Sequence, residues 1–243
     1  VAGHALAAGG GAPVSFLADV GSWLVDGDHW QGDEGIPTLA VHHLQVSVAA
    51  LAAAAVVGLP LGLWLGHRRA GGAVVLNLAN AGRALPTYAL LVLAVQGTGI
   101  ANPTGFGWTG SFPTWWPLVL LGLPPILTGT YVAMRQVDPD MVDAARGMGM
   151  REREVVRRVE LPAALPLVMS GVRAAMVGIV ATATLASFTG FGTLATPINV
   201  GLATQDRVQV FAGAVCVGLL AVLVDAVLAG VQRLVVSPGL RER

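Results

Sequence analysis

From Leu44 to Leu65 no side chain carries a charge, and at 1.5 Å per residue a helix over that stretch reaches roughly 33 Å, enough to cross a hydrocarbon core of roughly 30 Å. Lipid offers no water to bond the backbone, so a run of this kind is held as a helix. Similar stretches recur at about Gly72 to Val95, Trp115 to Met134, Ala164 to Phe188 and Val208 to Leu234. The expected class is an all-α membrane protein with five transmembrane helices. Composition agrees: only 12% of residues are charged and mean hydropathy is +0.70, whereas a soluble domain carries roughly a quarter charged residues. The length suits one domain. Residues 1–43 form an external N-terminal segment, 44–236 the transmembrane domain and 237–243 a cytoplasmic tail.

The first 43 residues hold no Lys or Arg and are acidic through Asp19, Asp26, Asp28, Asp33 and Glu34. They lack the basic n-region of a signal peptide. Phe16, Leu17, Val20, Trp23 and Leu24 predict an interfacial helix at about 14–25, with Trp23 and Trp30 suited to the headgroup zone. His42 and His43 are adjacent and so point apart on a helix; with no carboxylate nearby they read as interfacial residues rather than metal ligands. Cys216, the single cysteine, excludes an internal disulfide and offers no metal site.

Every basic side chain is Arg, and the count of Arg on each side sets orientation. With the N-terminus outside, Arg68, Arg69, Arg135, the five Arg between 138 and 162, Arg233, Arg241 and Arg243 are cytoplasmic, and only Arg207 is external. The outer connections, Gly97 to Pro117 and Thr189 to Gln205, are rich in glycine and read as flexible loops near a pore mouth. They lack the lysine of a phosphate-binding loop, so this chain is not expected to bind ATP.

The charged island Asp138 to Pro162 interrupts this apolar pattern. Asp138 is suited to cap a helix and Pro139 to begin it, with Asp140 and Asp143 near its positive end. Met141, Ala144, Ala145 and Met148 recur along one face, and Gly147 and Gly149 stop the helix. A second short helix is expected from about Arg151 to Val159. Val155, Val156 and Val159 lie on one side, Glu154 and Arg158 at i,i+4 on the other, and Pro162 ends it. Two short amphipathic helices with a glycine turn make a docking element whose apolar stripe needs a partner surface.

This island resembles the cytoplasmic loop of the integral-membrane permease subunits of type I ABC importers, Glu-Ala-Ala-x3-Gly-x9-Ile-x-Leu-Pro. The chain reads Asp143, Ala144, Ala145, Gly149, Val159, Leu161 and Pro162 at that spacing, with Asp for Glu and Val for Ile. The resemblance implies the permease fold, with the loop between spans three and four forming coupling helices that fit a groove on the ATPase. It also implies two ATPase subunits, which bind the ATP and Mg, a second permease chain, an extracytoplasmic substrate-binding protein and residence in a bacterial cytoplasmic membrane. No nucleic-acid partner is expected, and this chain does no bond chemistry.

Two further stretches, Gly82-Arg83-Ala84-Leu85-Pro86-Thr87-Tyr88-Ala89-Leu90-Leu91 and Ala183 to Leu194, are similar to permeases for quaternary amine osmoprotectants. Uptake of glycine betaine, choline, carnitine or proline betaine by alternating access is implied; methionine and other amino-acid permeases share the layout. A quaternary ammonium has no N–H to donate, so aromatic faces would recognise it. Arg83, Pro86, Tyr88, Phe188 and Phe191 are the candidates for the translocation path.

Arg173 and Asp225 lie at similar depths in spans four and five, roughly 12 to 14 Å from their cytoplasmic ends. A lone charge there is costly, so the two are expected to pair across the spans; the competing reading makes Asp225 the counter-ion of a cationic substrate. An intramembrane hydrolase using Ser170 or Ser187 is a distant alternative. Every histidine lies at or before position 67, which makes a buried Ser/His pair hard to build.

Overall fold

The computed structural model describes residues 13–69, 71–75, 77, 81, 86, 89–93 and 112–236. Among them all regular structure is helical: α1 (Pro13–Val25), α2 (Ile36–His67), α3 (Phe112–Arg135), α4 (Pro139–Gly147), α5 (Glu152–Val155), α6 (Leu161–Thr182), α7 (Thr196–Thr204) and α8 (Arg207–Val235). Of the described residues, Ile36–His67, Trp115–Arg135, Glu152–Phe188 and Arg207–Val235 are long and apolar enough to cross a membrane. Half of the expected second span, Arg83 and Tyr88 included, falls outside the described residues.

Small side chains decide how the spans meet. Within lipid there is little hydrophobic drive between helices, so close backbone approach supplies the packing energy. On α2 the buried face carries Ile36, Leu39, Val46, Ala50 and Ala54, then continues as Gly58, Gly62 and Gly66. A Cβ at Gly62 would stand 2.6 Å from the Cβ of Thr130, and one at Gly66 2.5 Å from the Cβ of Met134. On its other flank α3 meets α6 through Gly129, whose added Cβ would lie 2.9 Å from the Cα of Gly171. Thus α3 is wedged between α2 and α6, and α8 packs against α6 and α7.

Several expectations need correction. Helix α2 begins at Ile36 rather than near Leu44, because Gly35 caps it and Pro37 sits in its first turn,. His43 is consequently well inside the helix and fully buried, not interfacial. Its Nε2–H donates to the Val180 carbonyl at 2.8 Å, a group near the end of α6 where the chain passes into a tighter helix over Ala183–Thr189. His42 tilts against Phe191, with ring centroids 5.7 Å apart.

The stretch after span four is not wholly a loop. Thr196–Thr204 forms α7, with Pro197 in its first turn and Gln205 ending it in a left-handed conformation at φ 59°. Asp206 then caps α8 by accepting from the N–H groups of Val208 and Gln209. At the N-terminus, α1 lies against the start of α8, Phe16 meeting Phe211 edge to face at 5.5 Å, while Trp23 stacks on His29 at 3.9 Å.

Pro162 does not end the helix that precedes it. A π turn over Val156–Glu160 joins α5 to α6, with the Leu161 N–H bonded to the Val156 carbonyl. A proline lacks its own N–H and crowds the carbonyl one turn back; the wider turn relieves both demands, so the chain runs on as one helical rod from Glu152 to Thr182,.

Candidate functional site

The docking element is built as a capped hairpin. Asp138 Oδ1 accepts from the Asp140 N–H at 2.9 Å, and Pro139 begins α4. Its other end is a Schellman turn: Gly149 takes φ +83°, its N–H bonds to the Arg146 carbonyl, and the Met150 N–H reaches the Ala145 carbonyl,. Glu154 then accepts from the Arg151 N–H at 2.9 Å, so it caps α5 instead of pairing with Arg158 as its spacing suggested. Asp138→Ala should fray α4 at a cost of about 1 kcal/mol. Hydrogen exchange over residues 139–147 would detect it as lost protection with the spans unchanged.

The faces of α4 sort differently from the expected stripe. Val142 and Ala145 turn inward onto Ala133, Met134, Val137, Val155, Ala164 and Val168. Met141 and Met148 stay 49% and 71% exposed, with Ala144 exposed between them. Ala145 is therefore a packing residue, and the free apolar stripe is Met141, Ala144 and Met148. Asp143 is also exposed, Val159 is partly buried against the inward core, and Leu161 and Pro162 lie at the junction of the π turn with α6.

Polar side chains pin the hairpin within itself and to the end of α2. Arg146 grips Glu152 with both arms, Nε to Oε1 at 3.0 Å and Nη2 to Oε2 at 3.1 Å, and reaches Asp143 at 3.4 Å. Hydrogen bonding to Glu152 holds the Arg146 guanidinium above its ordinary pKa. His67, at the end of α2, lies between two carboxylates, with Nδ1 2.6 Å from Glu160 and Nε2 3.1 Å from Glu152. Sequence reasoning missed this clamp. Its partners are 85 and 93 residues away, and no local pattern points to them.

Arg173 and Asp225 face each other as a fork between α6 and α8: Nε donates to Oδ1 at 3.0 Å and Nη2 to Oδ2 at 2.9 Å. The remaining arm, Nη1, donates to Gln232 Oε1 at 3.0 Å, and Gln232 Nε2 donates to the Pro166 carbonyl at 3.0 Å. Gln232 escaped the sequence reading, although it stands two turns from Asp225 on the same face. The two charged side chains are 29% and 40% exposed in the single chain.

The described path candidates differ in exposure. Phe188 is 58% exposed, whereas Phe191 is buried with Val46, Ala50, Leu118 and Ile179. Pro86 is exposed, and Arg83 and Tyr88 lie outside the described residues. Ser187 donates to the Thr184 carbonyl and accepts from Asn199, a short polar link between the end of span four and α7.

Comparison with known proteins gives a consistent picture. The family described as binding-protein-dependent transport system inner membrane component matches residues 58–237. The glycine betaine/carnitine/choline transport system permease protein OpuCB of Bacillus subtilis is 33% identical over 199 residues, which make up 82% of this chain and 88% of that protein. The choline transport system permease protein OpuBB of the same organism is 32% identical over the same shares. The osmoprotectant import permease protein OsmY of Salmonella typhimurium is 33% identical over 79% of this chain and 78% of its own. Among solved structures, an inward-facing MetNI methionine ABC transporter superposes with a TM-score of 0.68 at 22% identity, over 81% of this chain and 94% of that one; at that identity the likeness carries the fold alone. The chain therefore belongs to the family of inner membrane components of binding-protein-dependent transport systems, as a permease subunit of an ABC importer in a bacterial inner membrane, and it resembles the osmoprotectant permeases of that family.

Proposed function

We propose that this chain is one of two permease subunits that move a small quaternary ammonium osmoprotectant into the cell by alternating access. Two ATPase subunits bind and hydrolyse ATP with Mg below them, and an extracytoplasmic binding protein delivers the solute from the other side. The N-terminus is outside and five spans cross the membrane, which leaves all Arg of the docking hairpin on the cytoplasmic side, as the distribution of Arg favours.

The observation that carries this reading is the hairpin Asp138–Pro162. It offers an exposed Met141, Ala144 and Met148 stripe on a body strapped to the ends of α2, α3 and α6. Because α5 runs into α6 through the π turn without a break, a push on the hairpin is delivered to span four as a rigid-body movement. Asp143, Ala144, Gly149, Val159, Leu161 and Pro162 are its coupling residues, Ala145 supporting them from inside. The second permease chain is supported by the Arg173 and Asp225 fork. A charged pair a third exposed at that depth would be poorly held by lipid, so that flank is turned to protein or to a water-filled path. Phe188, 58% exposed, is the aromatic we place on the translocation path; Phe191 acts as packing. The likeness to permeases named for betaine, carnitine and choline supports the substrate class.

In proteoliposomes holding the complete importer, Gly149→Pro should leave insertion intact while ATP hydrolysis no longer drives uptake. Proline cannot adopt φ +83°, so the turn that sets the hairpin angle is lost. Asp143→Arg should act in the same direction, since a cation in the first turns of α4 opposes its dipole and repels Arg146. Uptake of radiolabelled glycine betaine at the unmutated rate in both variants would defeat the coupling role. Uptake of methionine in preference to betaine, choline and carnitine would defeat the substrate class.

A further inference from the structure

Beside the docking hairpin, α2, α4 and the rod that begins with α5 line an open cavity of about 940 Å³. Its lining divides sharply by depth. At the rim stand Arg68, Arg69, Arg153 and Arg157, all exposed. The carboxylates that line it are already engaged, Glu160 by His67 and Glu152 by His67 and Arg146. Among the described residues no carboxylate pairs with the four rim arginines, so the rim is strongly and openly cationic. One to two turns deeper along α2, the wall becomes Pro60, Leu63 and Trp64, faced by Val156. Trp64 spans the boundary: half its surface is exposed, and Arg68 lies over its ring at 4.8 Å from the centroid.

We infer that this cavity is a binding site for an anionic phospholipid, whose phosphate is held by Arg68, Arg69, Arg153 and Arg157 while an acyl chain lies along Pro60, Leu63 and Trp64. The depth of the wall selects a lipid over the other anions. A free phosphate would use the rim and leave the apolar wall open. An acidic protein segment would have to enter the hydrocarbon layer to cover Pro60. A phosphate joined to a fatty chain fits both parts, since arginine forks bind phosphate oxygens and basic pockets between membrane helices at the headgroup level suit acidic lipids. The site lies at the foot of the hairpin, so a bound lipid would brace α2 against the rod. The inference uses only the membrane location and the cavity, and it stands whether or not the hairpin docks an ATPase.

The test is a lipid titration of the full chain in mild detergent, read by native mass spectrometry. Dioleoylphosphatidylglycerol and dioleoylphosphatidylcholine, which share acyl chains, are compared on the unmutated chain, Arg153→Gln/Arg157→Gln, Arg68→Gln/Arg69→Gln, and the remote pair Arg135→Gln/Arg207→Gln. The expected result is preferential retention of phosphatidylglycerol by the unmutated chain and the remote pair. Each cavity pair should lose roughly thirtyfold in affinity, the scale expected for two basic groups beside an acidic headgroup. Circular dichroism checks that the pairs fold, and Arg157→Gln alone should show a smaller loss in the same direction. Equal retention of the two lipids, or undiminished retention by both cavity pairs, would overturn the site. Stripping of phosphatidylglycerol by excess inorganic phosphate would reassign it to free phosphate, and stripping by polyglutamate to an acidic protein surface.

Discussion

Gly62→Leu should yield little or no folded protein, seen as loss of the monodisperse peak after detergent extraction. At this position even the first carbon has no room: a Cβ would stand 2.6 Å from Thr130 Cβ, 2.9 Å from its Cγ2 and 3.0 Å from the Leu127 carbonyl oxygen. Neither neighbour can give way, since Thr130 is fully buried and β-branched, hence stiff at χ1, and Leu127 opposes it with backbone. Inserting single methylenes into a tight core costs about 1–3 kcal/mol. Gly62→Ala should therefore lower the unfolding midpoint, and leucine should exceed what a protein stable by about 5–15 kcal/mol can spare. Thr130→Gly in the Gly62→Ala background should recover part of the loss. Gly218 on α8, where an added Cβ meets nothing within 4 Å, serves as the control. If Gly62→Leu and Gly218→Leu give equal yields and midpoints, the close seam between α2 and α3 does not hold the bundle.

The spans were legible because their signal is one-dimensional: a long apolar run with few charges needs no knowledge of a partner. The α8 boundaries fell within a residue of expectation, and the N-cap at Asp138 and the left-handed Gly149 follow from local chemistry. What escaped depends on a second element. The glycines at 58, 62 and 66 look like ordinary helix diluents until Ile126, Thr130 and Met134 are seen against them. The apolar face of α4 was misjudged by including Ala145, because both sides of this short helix carry apolar residues. Only the packing of Val142 beside Ala145 onto the ends of α3 and α6 tells inside from outside. Pro162 read as a terminator because proline usually is one; the π turn that carries the helix past it has no sequence mark of its own. Glycine content hid α7, although Thr196 and Pro197 are fair start signals.

Contacts far apart in sequence tie the hairpin to α2 through His67, Glu152 and Glu160, and a contact of the same reach, here a charged pair, makes the seam between α6 and α8. Reversing one charge at a time should show this. Arg173→Asp sets two carboxylates face to face and leaves Gln232 Oε1 without its donor. Asp225→Arg opposes two guanidiniums with no acceptor between them. At this depth an unpaired charge is costly, so each single variant should lower folded yield several-fold and weaken retention of the partner permease. The double exchange should recover part of the yield, because the fork can form in reverse. Recovery should be incomplete, since an aspartate at 173 is too short to reach Gln232, whose amide is also tied to the Pro166 carbonyl. Gln232→Leu alone should cost less than either charge reversal, as it leaves the fork whole. A double exchange no better than the worse single variant, with Asp225→Asn losing substrate affinity at normal yield, would instead make Asp225 the counter-ion of a cationic solute. The geometry weighs against that outcome, because both carboxylate oxygens are already occupied by Arg173 at 2.9 and 3.0 Å.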